Sequence, residues 1–261
     1  MTMTIPSRTH GAEAAPSSVL RRIPFPRLVR VEWGKATDTR AARWLLALVA
    51  LSTIGMMLVP VLAPTTFDQT YASYLRVAAI AVSILLPVVA ILMFTGEWSQ
   101  RSVMTTFTQE PRRIRVLNAK LAVSMVLGGG GAVFGGVVTA AGLGLAAASG
   151  RALEANLTVG AITGYLLFVL LNVLGGVALG ALLQSSATAI AASFALPAAF
   201  AVLGTASTLV SDWIDTSTPW GKWVLENDWA GHVPQISFSI VFWVAVPLAA
   251  GAVRTIRRDV T

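Results

Sequence analysis

The sequence predicts an all-α integral membrane protein with six transmembrane helices. Apolar residues make up 55% of its 261 residues and charged residues only 12%, about half the charged share of a soluble domain. The mean hydropathy is +0.72. Six apolar stretches are long enough for a helix to cross the roughly 30 Å hydrocarbon core of a bilayer. These values exclude the class of soluble globular domains.

The predicted six-helix transmembrane domain covers residues 44–253, and polar or turn-forming residues separate its apolar runs. A span needs about 20 predominantly apolar residues, because each residue of a helix adds about 1.5 Å. The spans are expected at 44–62, 73–94, 121–148, 157–183, 188–210 and 236–253.

The distribution of Lys and Arg predicts that both termini are cytoplasmic. Eight of these cations precede the first span, five lie between the second and third spans, and three follow the last span. The opposite side holds only Arg76, Arg151 and Lys222. Cytoplasmic loops carry the excess of Lys and Arg in membrane proteins. The net charge of +7 therefore indicates topology, and no nucleic-acid partner is expected.

The chain before the first span divides into two predicted segments. Residues 1–18 are polar and predict a disordered cytoplasmic tail, whereas residues 19–43 mix apolar residues with arginines and predict an amphipathic elbow. Pro24 and Pro26 argue against a helix before Arg27. From there on, the cations of the elbow are expected to face anionic lipid headgroups. Residues 254–261 are expected to form a cytoplasmic C-terminal tail.

The loop 95–120 is the most informative polar segment of the chain. Thr95 is placed to cap a short helix with Glu97 in its first turn. Val103, Met104 and Phe107 would then share one face, and Pro111 would end the helix near Gln109. An apolar ridge of this kind favours docking into a protein groove. The alternative is a basic loop that only fixes topology.

The segment 211–235, expected on the outer side, is rich in tryptophan. It contains Trp213, Trp220, Trp223 and Trp229. Tryptophan favours the membrane–water interface, so the segment predicts short helices that lie at the outer leaflet or re-enter it. An ordinary aromatic belt and a gate over a substrate path fit these residues equally well.

The spans contain almost no ionisable side chains, since only Arg76 lies near a span end on the outer side. Ion-coupled carriers generally need such groups inside the membrane, so their absence argues against a self-powered carrier, although backbone carbonyls and hydroxyls could still bind sodium. Asn172 is the most polar deep residue; it could line a path, and a hydrogen bond to a neighbouring helix is the favoured expectation. Glycine pairs such as Gly176/Gly180 favour close helix packing within the chain over a subunit interface.

No catalytic, cofactor or metal constellation is present in the sequence. There is no cysteine, and His10 and His232 stand alone. No nucleotide-binding or hydrolase motif occurs. The chain is therefore not expected to be an enzyme by itself.

Four short motifs resemble those of the ABC-2 type permeases, the membrane subunits of bacterial ATP-binding-cassette exporters. They are Gly96-Glu97-Trp98 with Thr105-Thr106, Pro111-Arg112-Arg113, Ala119-Lys120, and Val31-Glu32-Trp33-Gly34-Lys35 before the first span. The six-span layout and the long outer segment before the sixth span are similar as well. Arg101 stands where relatives often have glycine.

The resemblance implies a multi-pass permease of the bacterial inner membrane that exports an amphipathic or hydrophobic substrate. Residues 97–107 would be a coupling helix seated in a cleft of a separate ATPase subunit. Two ATPases, which bind the ATP and Mg²⁺, would join this permease and a second, identical or homologous one. A non-transporting membrane scaffold or sensor is the alternative.

The residues to which the resemblance assigns a role fall into three sets. The ATPase-coupling set is Glu97, Trp98, Arg101, Val103, Met104, Phe107, Pro111, Arg112 and Arg113. The elbow set is Arg27, Arg30, Glu32, Trp33 and Lys35. The candidates for an outer gate are Trp213, Trp220, Trp223 and Trp229.

Overall fold

Six helices of the described chain are long and apolar enough to cross a membrane, as predicted. The structure, a computed structural model, describes residues 23–99, 112–152, 154 and 157–257, and its regular elements within these ranges are all helical. The predicted tail 1–18 and most of the predicted coupling helix lie outside these ranges. The six helices are α2 (Arg40–Leu62), α3 (Tyr71–Ser99), α4 (Arg113–Ala148), α5 (Val159–Leu183), α6 (Ser186–Gly204) and α8 (Val233–Arg257).

A shorter helix, α1 (Phe25–Thr37), precedes the first of these six. It begins two residues before the predicted start at Arg27, with Pro24 as its N-cap and Pro26 in its first turn. Proline is tolerated there because the first N–H groups of a helix have no intrahelical acceptor. Thr39 then caps α2, its side chain accepting a hydrogen bond from the N–H of Ala42 at 3.1 Å.

The predicted start of a separate helix at Thr95 is wrong, because α3 continues without interruption to Ser99. The Thr95 hydroxyl donates to the carbonyl oxygen of Ile91 at 2.8 Å and lies 2.7 Å from the Ser186 hydroxyl. A threonine that bonds four residues back belongs to a helix interior and caps nothing. Glu97 therefore lies in the last turns of α3.

The loop is also shorter at its other end, because α4 begins at Arg113 and not at the predicted residue Leu121. With 36 residues, α4 is about 54 Å long at 1.5 Å per residue, well beyond the bilayer core. A helix of this length must tilt in the bilayer or extend beyond it. The first turns of α4 pack beside the C-terminal end of α3. They form, with the end of α3, one end of the bundle, called here the α3–α4 end.

Helix α3 is the centre of the bundle. In its most apolar stretch 72% of the residues are buried within the chain, against 22% in α2 and 6% in α6. Gly176 of α5 lets that helix approach α3 closely, since a Cβ there would lie 2.8 Å from the carbonyl oxygen of Pro87. At this position the glycine therefore serves packing within the chain. The exposed faces of α2 and α6 are left for lipid or another protein.

The opposite end of the bundle carries the tryptophan-rich segment and is called the tryptophan end. Here α7 (Thr208–Trp213) and a π-helix (Ser217–Val224) connect α6 to α8. The π-helix packs closely along α5. At Gly164 the two helices are so near that an added side chain would collide with the carbonyl oxygen of Val224. Helix α8 itself contains a π-helical turn at Val241–Ala245.

Candidate functional site

Four charged side chains of alternating sign form a closed ring at the α3–α4 end. They are Glu32 and Lys35 from α1, Glu97 from α3 and Lys120 from α4, and together they are called the charge ring. Its two carboxylates and two ammonium groups leave no net charge. Buried charges are tolerated only when they are paired and hydrogen-bonded, and the geometry of the ring meets both conditions.

Each carboxylate of the charge ring lies between both lysines. The Lys35 ammonium donates to Glu32 Oε1 at 2.7 Å and to Glu97 Oε1 at 2.6 Å. The Lys120 ammonium donates to Glu32 Oε2 at 2.8 Å and forms an ion pair with Glu97 Oε2 at 3.6 Å. Lys120 also donates to the carbonyl oxygen of Met93 at 3.1 Å. Three helices are thereby joined through one set of charges.

Burial within the charge ring is uneven. Glu32 and Lys120 are each only 3% exposed, whereas the side chains of Glu97 and Lys35 are 11% and 38% exposed. Burial lowers the pKa of the Lys35 ammonium, but its hydrogen bonds to Glu32 and Glu97 raise it by more. The pKa of Lys35 therefore lies above its ordinary value, and this lysine stays charged at physiological pH.

The local sequence explains how the charge ring forms. Glu32 and Lys35 are three residues apart on α1, so they lie on one face of that helix. Ala36 on α1 and Ala119 on α4 stand next to ring members and are buried, at 3% and 0% exposure. Small side chains at these positions let the two helices approach closely enough for the ion pairs to form.

Three arginines at the same end donate to backbone carbonyls of other elements. Arg113 donates to Thr255 O of α8 at 2.7 Å, and Arg115 donates to Ile23 O before α1 at 2.6 Å. Arg254 of α8 donates to Leu182 O of α5 at 2.7 Å. Cations stabilise the carbonyls at the C-terminal end of a helix. These contacts fasten α1, α4, α5 and α8 together around the charge ring.

The structure brings together only part of the predicted coupling and elbow sets. Glu97 joins Glu32 and Lys35 in the charge ring, and Arg113 binds α8. Lys35, an elbow cation expected near lipid headgroups, is thus held by carboxylates. The exposed residues of the two sets are Arg27, Arg30, Trp33, Lys35 and Arg112. Trp98 lies in the last turn of α3, and the positions outside the described ranges are Arg101, Val103, Met104, Phe107 and Pro111.

The four predicted gate tryptophans have different environments. Trp220 and Trp223 are buried in protein, at 3% and 6% exposure, so neither belongs to a lipid-facing aromatic belt. Trp223 stacks on His232 with ring centroids 4.0 Å apart. Trp213 and Trp229 are half-buried. The tryptophan end is therefore a packed cluster and not a row of interfacial rings.

Sequence reasoning missed Trp243, which lies inside the sixth span. It is buried in the same cluster as Trp220 and Trp223, and its Nε1–H donates to the carbonyl oxygen of Ile214 at 2.6 Å. The tryptophan-rich segment is thereby tied to α8. The sequence does not reveal this hydrogen bond, because a tryptophan within a span can contact lipid as readily as it can bond a carbonyl group of the protein.

A cavity of about 60 Å³ lies between α3, α5 and α6, next to Trp220. Asn172 lines it, and its side-chain amide donates to Phe168 O of its own helix at 2.8 Å. The prediction that Asn172 bonds a neighbouring helix is wrong. The amide instead faces the space between helices.

Comparison with known proteins leaves the geometry as the basis for a functional assignment. No model of a known protein family matches the chain, and no curated protein matches its sequence.

Proposed function

We propose that this chain is the transmembrane permease subunit of an ATP-driven ABC exporter that moves an amphipathic or hydrophobic substrate out of a bacterial cell by alternating access. The observation that carries the proposal is the charge ring. Its members come from three of the four motifs that resemble the ABC-2 permeases, and these motifs lie far apart in sequence. Segments that act as one mechanical unit are expected to meet in this way.

The charge ring suits the transmission of movement between helices. Residues 97–107 are proposed to dock into the ATPase. Most of them lie in the connection between the ends of α3 and α4, the two helices that supply Glu97 and Lys120. Separating buried, paired charges is unfavourable, so α1, α3 and α4 would move together when the ATPases close. Because α3 is the most buried span, its displacement reaches the whole bundle.

The remaining parts of the complex follow from this role. Two ATPases would bind ATP and Mg²⁺, and both termini of this chain would lie in the cytoplasm with the α3–α4 end. A second permease, identical or homologous, would cover the exposed faces of α2 and α6. The tryptophan end would re-enter the outer leaflet, with Trp220 and Trp223 as parts of a gate.

Purification from native membranes in mild detergent tests the complex. We expect an ATPase with Walker motifs to co-purify with the chain in stoichiometric amount, as identified by mass spectrometry. Repeated recovery of the intact chain without an ATPase, under conditions that preserve known ABC complexes, would instead favour the scaffold or sensor.

A substitution at Phe107 tests the proposed docking site. Phe107→Asp should abolish ATPase association, because a carboxylate in an apolar groove must be desolvated without a partner. Phe107→Leu keeps an apolar side chain and should retain association. The measurement is the amount of ATPase recovered per permease, together with ATP hydrolysis of the complex. Equal recovery with both variants would contradict the assignment of residues 97–107.

A further inference from the structure

The cavity beside Trp220 lies deep in the bundle. Its lining includes Ser83 of α3, Asn172 of α5 and Ser193 of α6, all near the middle of their helices. None of its lining residues carries a charge. Its volume of about 60 Å³ is enough for a small polar group, since a cavity of roughly 10–15 Å³ already holds one water molecule.

Trp220, which lines this cavity, carries a hydrogen-bond donor without a described partner. It is only 3% exposed, and its Nε1–H has no acceptor within the described ranges. A buried donor without an acceptor is unfavourable. Native proteins rarely keep such a group, so it indicates a ligand or an ordered water.

Two prolines leave additional acceptors around the cavity. Pro87 and Pro197, which also line it, each stand four residues after a cavity serine. Since proline has no N–H, the carbonyls of Ser83 and Ser193 lack their usual helical donor. In membrane helices, such carbonyls are commonly bonded by other groups or by water.

The side chains around these carbonyls add both donors and acceptors. The hydroxyls of Ser83 and Ser193 donate to Ile80 O and Ile190 O of their own helices, at 3.1 and 2.8 Å, which leaves their lone pairs free. Asn172 uses one amide N–H within α5 and keeps a second N–H and a carbonyl oxygen. A group that both donates and accepts fits this surface best.

The cavity is partly open, and two of its lining residues mark the opening. Ile84 of α3 and Phe194 of α6 are 47% and 46% exposed. Both are apolar residues on membrane-spanning helices, so the opening faces an apolar surface. A molecule with an apolar body could enter there with its polar group leading.

We propose that this cavity binds the hydroxyl group of an uncharged amphipathic molecule. The hydroxyl oxygen accepts from Trp220 Nε1–H, and its proton is donated to the side-chain oxygen of Asn172. The apolar remainder lies between Ile84 and Phe194. That this molecule is transported cargo rests on the proposed function, whereas binding itself does not.

Photolabelling of the purified full-length chain in lipid nanodiscs tests the site. The probe is a long-chain alcohol with a diazirine near its hydroxyl, and the control probe is the methyl ether of the same alcohol, which cannot donate. We expect the alcohol to label peptides of α3, α5 or α6 at the cavity about three- to tenfold more than the ether, the preference expected of one buried neutral hydrogen bond.

Two variants and a matched control locate the interaction. Trp220→Phe removes the N–H and keeps an aromatic ring, and Asn172→Leu removes the amide at similar volume. Trp220→Phe should reduce labelling of the cavity by both probes, because the ether oxygen also accepts from that N–H. Asn172→Leu removes the acceptor of the hydroxyl proton and should reduce the preference for the alcohol to about one. Thr139→Val removes another buried polar atom without a described partner, on α4 and away from the cavity, and should leave the preference unchanged. Trp220→Phe breaks no described hydrogen bond but shortens a buried ring, so its folding is checked by size-exclusion chromatography before labelling.

Three results would overturn the proposal. Equal labelling by alcohol and ether would mean that the cavity does not recognise the hydroxyl. Cavity labelling that is unchanged in Trp220→Phe, or a preference that survives in Asn172→Leu, would place the alcohol elsewhere. Sodium-dependent displacement of the alcohol would assign the freed carbonyls to a cation. None of these results involves an ATPase, so they are separate from a failure of the proposed exporter function, which the co-purification decides.

Discussion

Replacing Lys120 by methionine is expected to lower the free energy of unfolding by about 3–5 kcal/mol, as for other buried ion pairs that lose one partner. Lys120 is 3% exposed, and its removal leaves two buried carboxylates with Lys35 as their single cation. The measurement is thermal unfolding of the purified chain in detergent, monitored as the loss of the monodisperse peak in size-exclusion chromatography. Lys222→Met, at an exposed lysine, is the control and should change stability by less than about 0.5 kcal/mol.

A second substitution distinguishes the loss of ion pairs in the charge ring from the loss of side-chain packing. Adding Glu32→Gln to Lys120→Met restores neutrality around Glu97 and Lys35. The double variant should therefore lose less stability than the sum of the single variants, with a coupling energy of about 0.5–3 kcal/mol. Strict additivity of the two substitutions would mean that Glu32 and Lys120 do not interact in the folded chain.

Enlarging Gly251 is expected to disrupt the contact between α8 and α5. A Cβ at this position would lie 2.5 Å from the carbonyl carbon of Ala181 and 2.7 Å from the N of Leu182. These are backbone atoms, so the two helices must separate. Overpacking of this kind lowers the free energy of unfolding by about 1–3 kcal/mol. The loss should be greater for Gly251→Val than for Gly251→Ala, because valine has the larger side chain.

The chain offers a matched control for this effect. Gly129 and Gly136 on α4 have open space around an added Cβ, so alanine at either position should leave thermal stability unchanged. The α8–α5 contact is also fixed by the hydrogen bond from Arg254 to Leu182 O. If Gly251→Val unfolds at the same temperature as Gly129→Ala, α8 and α5 do not approach each other as closely as described here.

The spans could be predicted from the sequence because apolar length is a local property of the chain. Their ends were less predictable where polar residues continue a helix beyond the membrane. Thr95 could serve as a cap or as an interior residue, and its contacts with Ile91 and Ser186 determine the second. Arg113 could begin a helix only because α8 and the start of α1 supply partners for the basic first turn of α4.

The candidate sites depended more strongly on the tertiary structure. Trp213, Trp220 and Trp223 lie in the same tryptophan-rich segment and cannot be distinguished from the sequence. Trp220 and Trp223 are buried and Trp213 is half-buried, because α5 covers the π-helix and not α7. The cavity beside Asn172 likewise depends on how α3, α5 and α6 cross at Gly176 and Pro87. A single sequence contains no measure of that crossing.

The sequence by itself determined a membrane protein with six spans and the residue types of its polar segments, since both depend on composition along short stretches. Only the tertiary structure decided that Glu32, Lys35, Glu97 and Lys120 form one ring. Lys35 and Glu97 are 62 positions apart, and Glu32 and Lys120 are 88 apart. Charges so distant in the chain can pair inside a bundle only where helix packing brings them within about 4 Å and excludes the water that would otherwise solvate them.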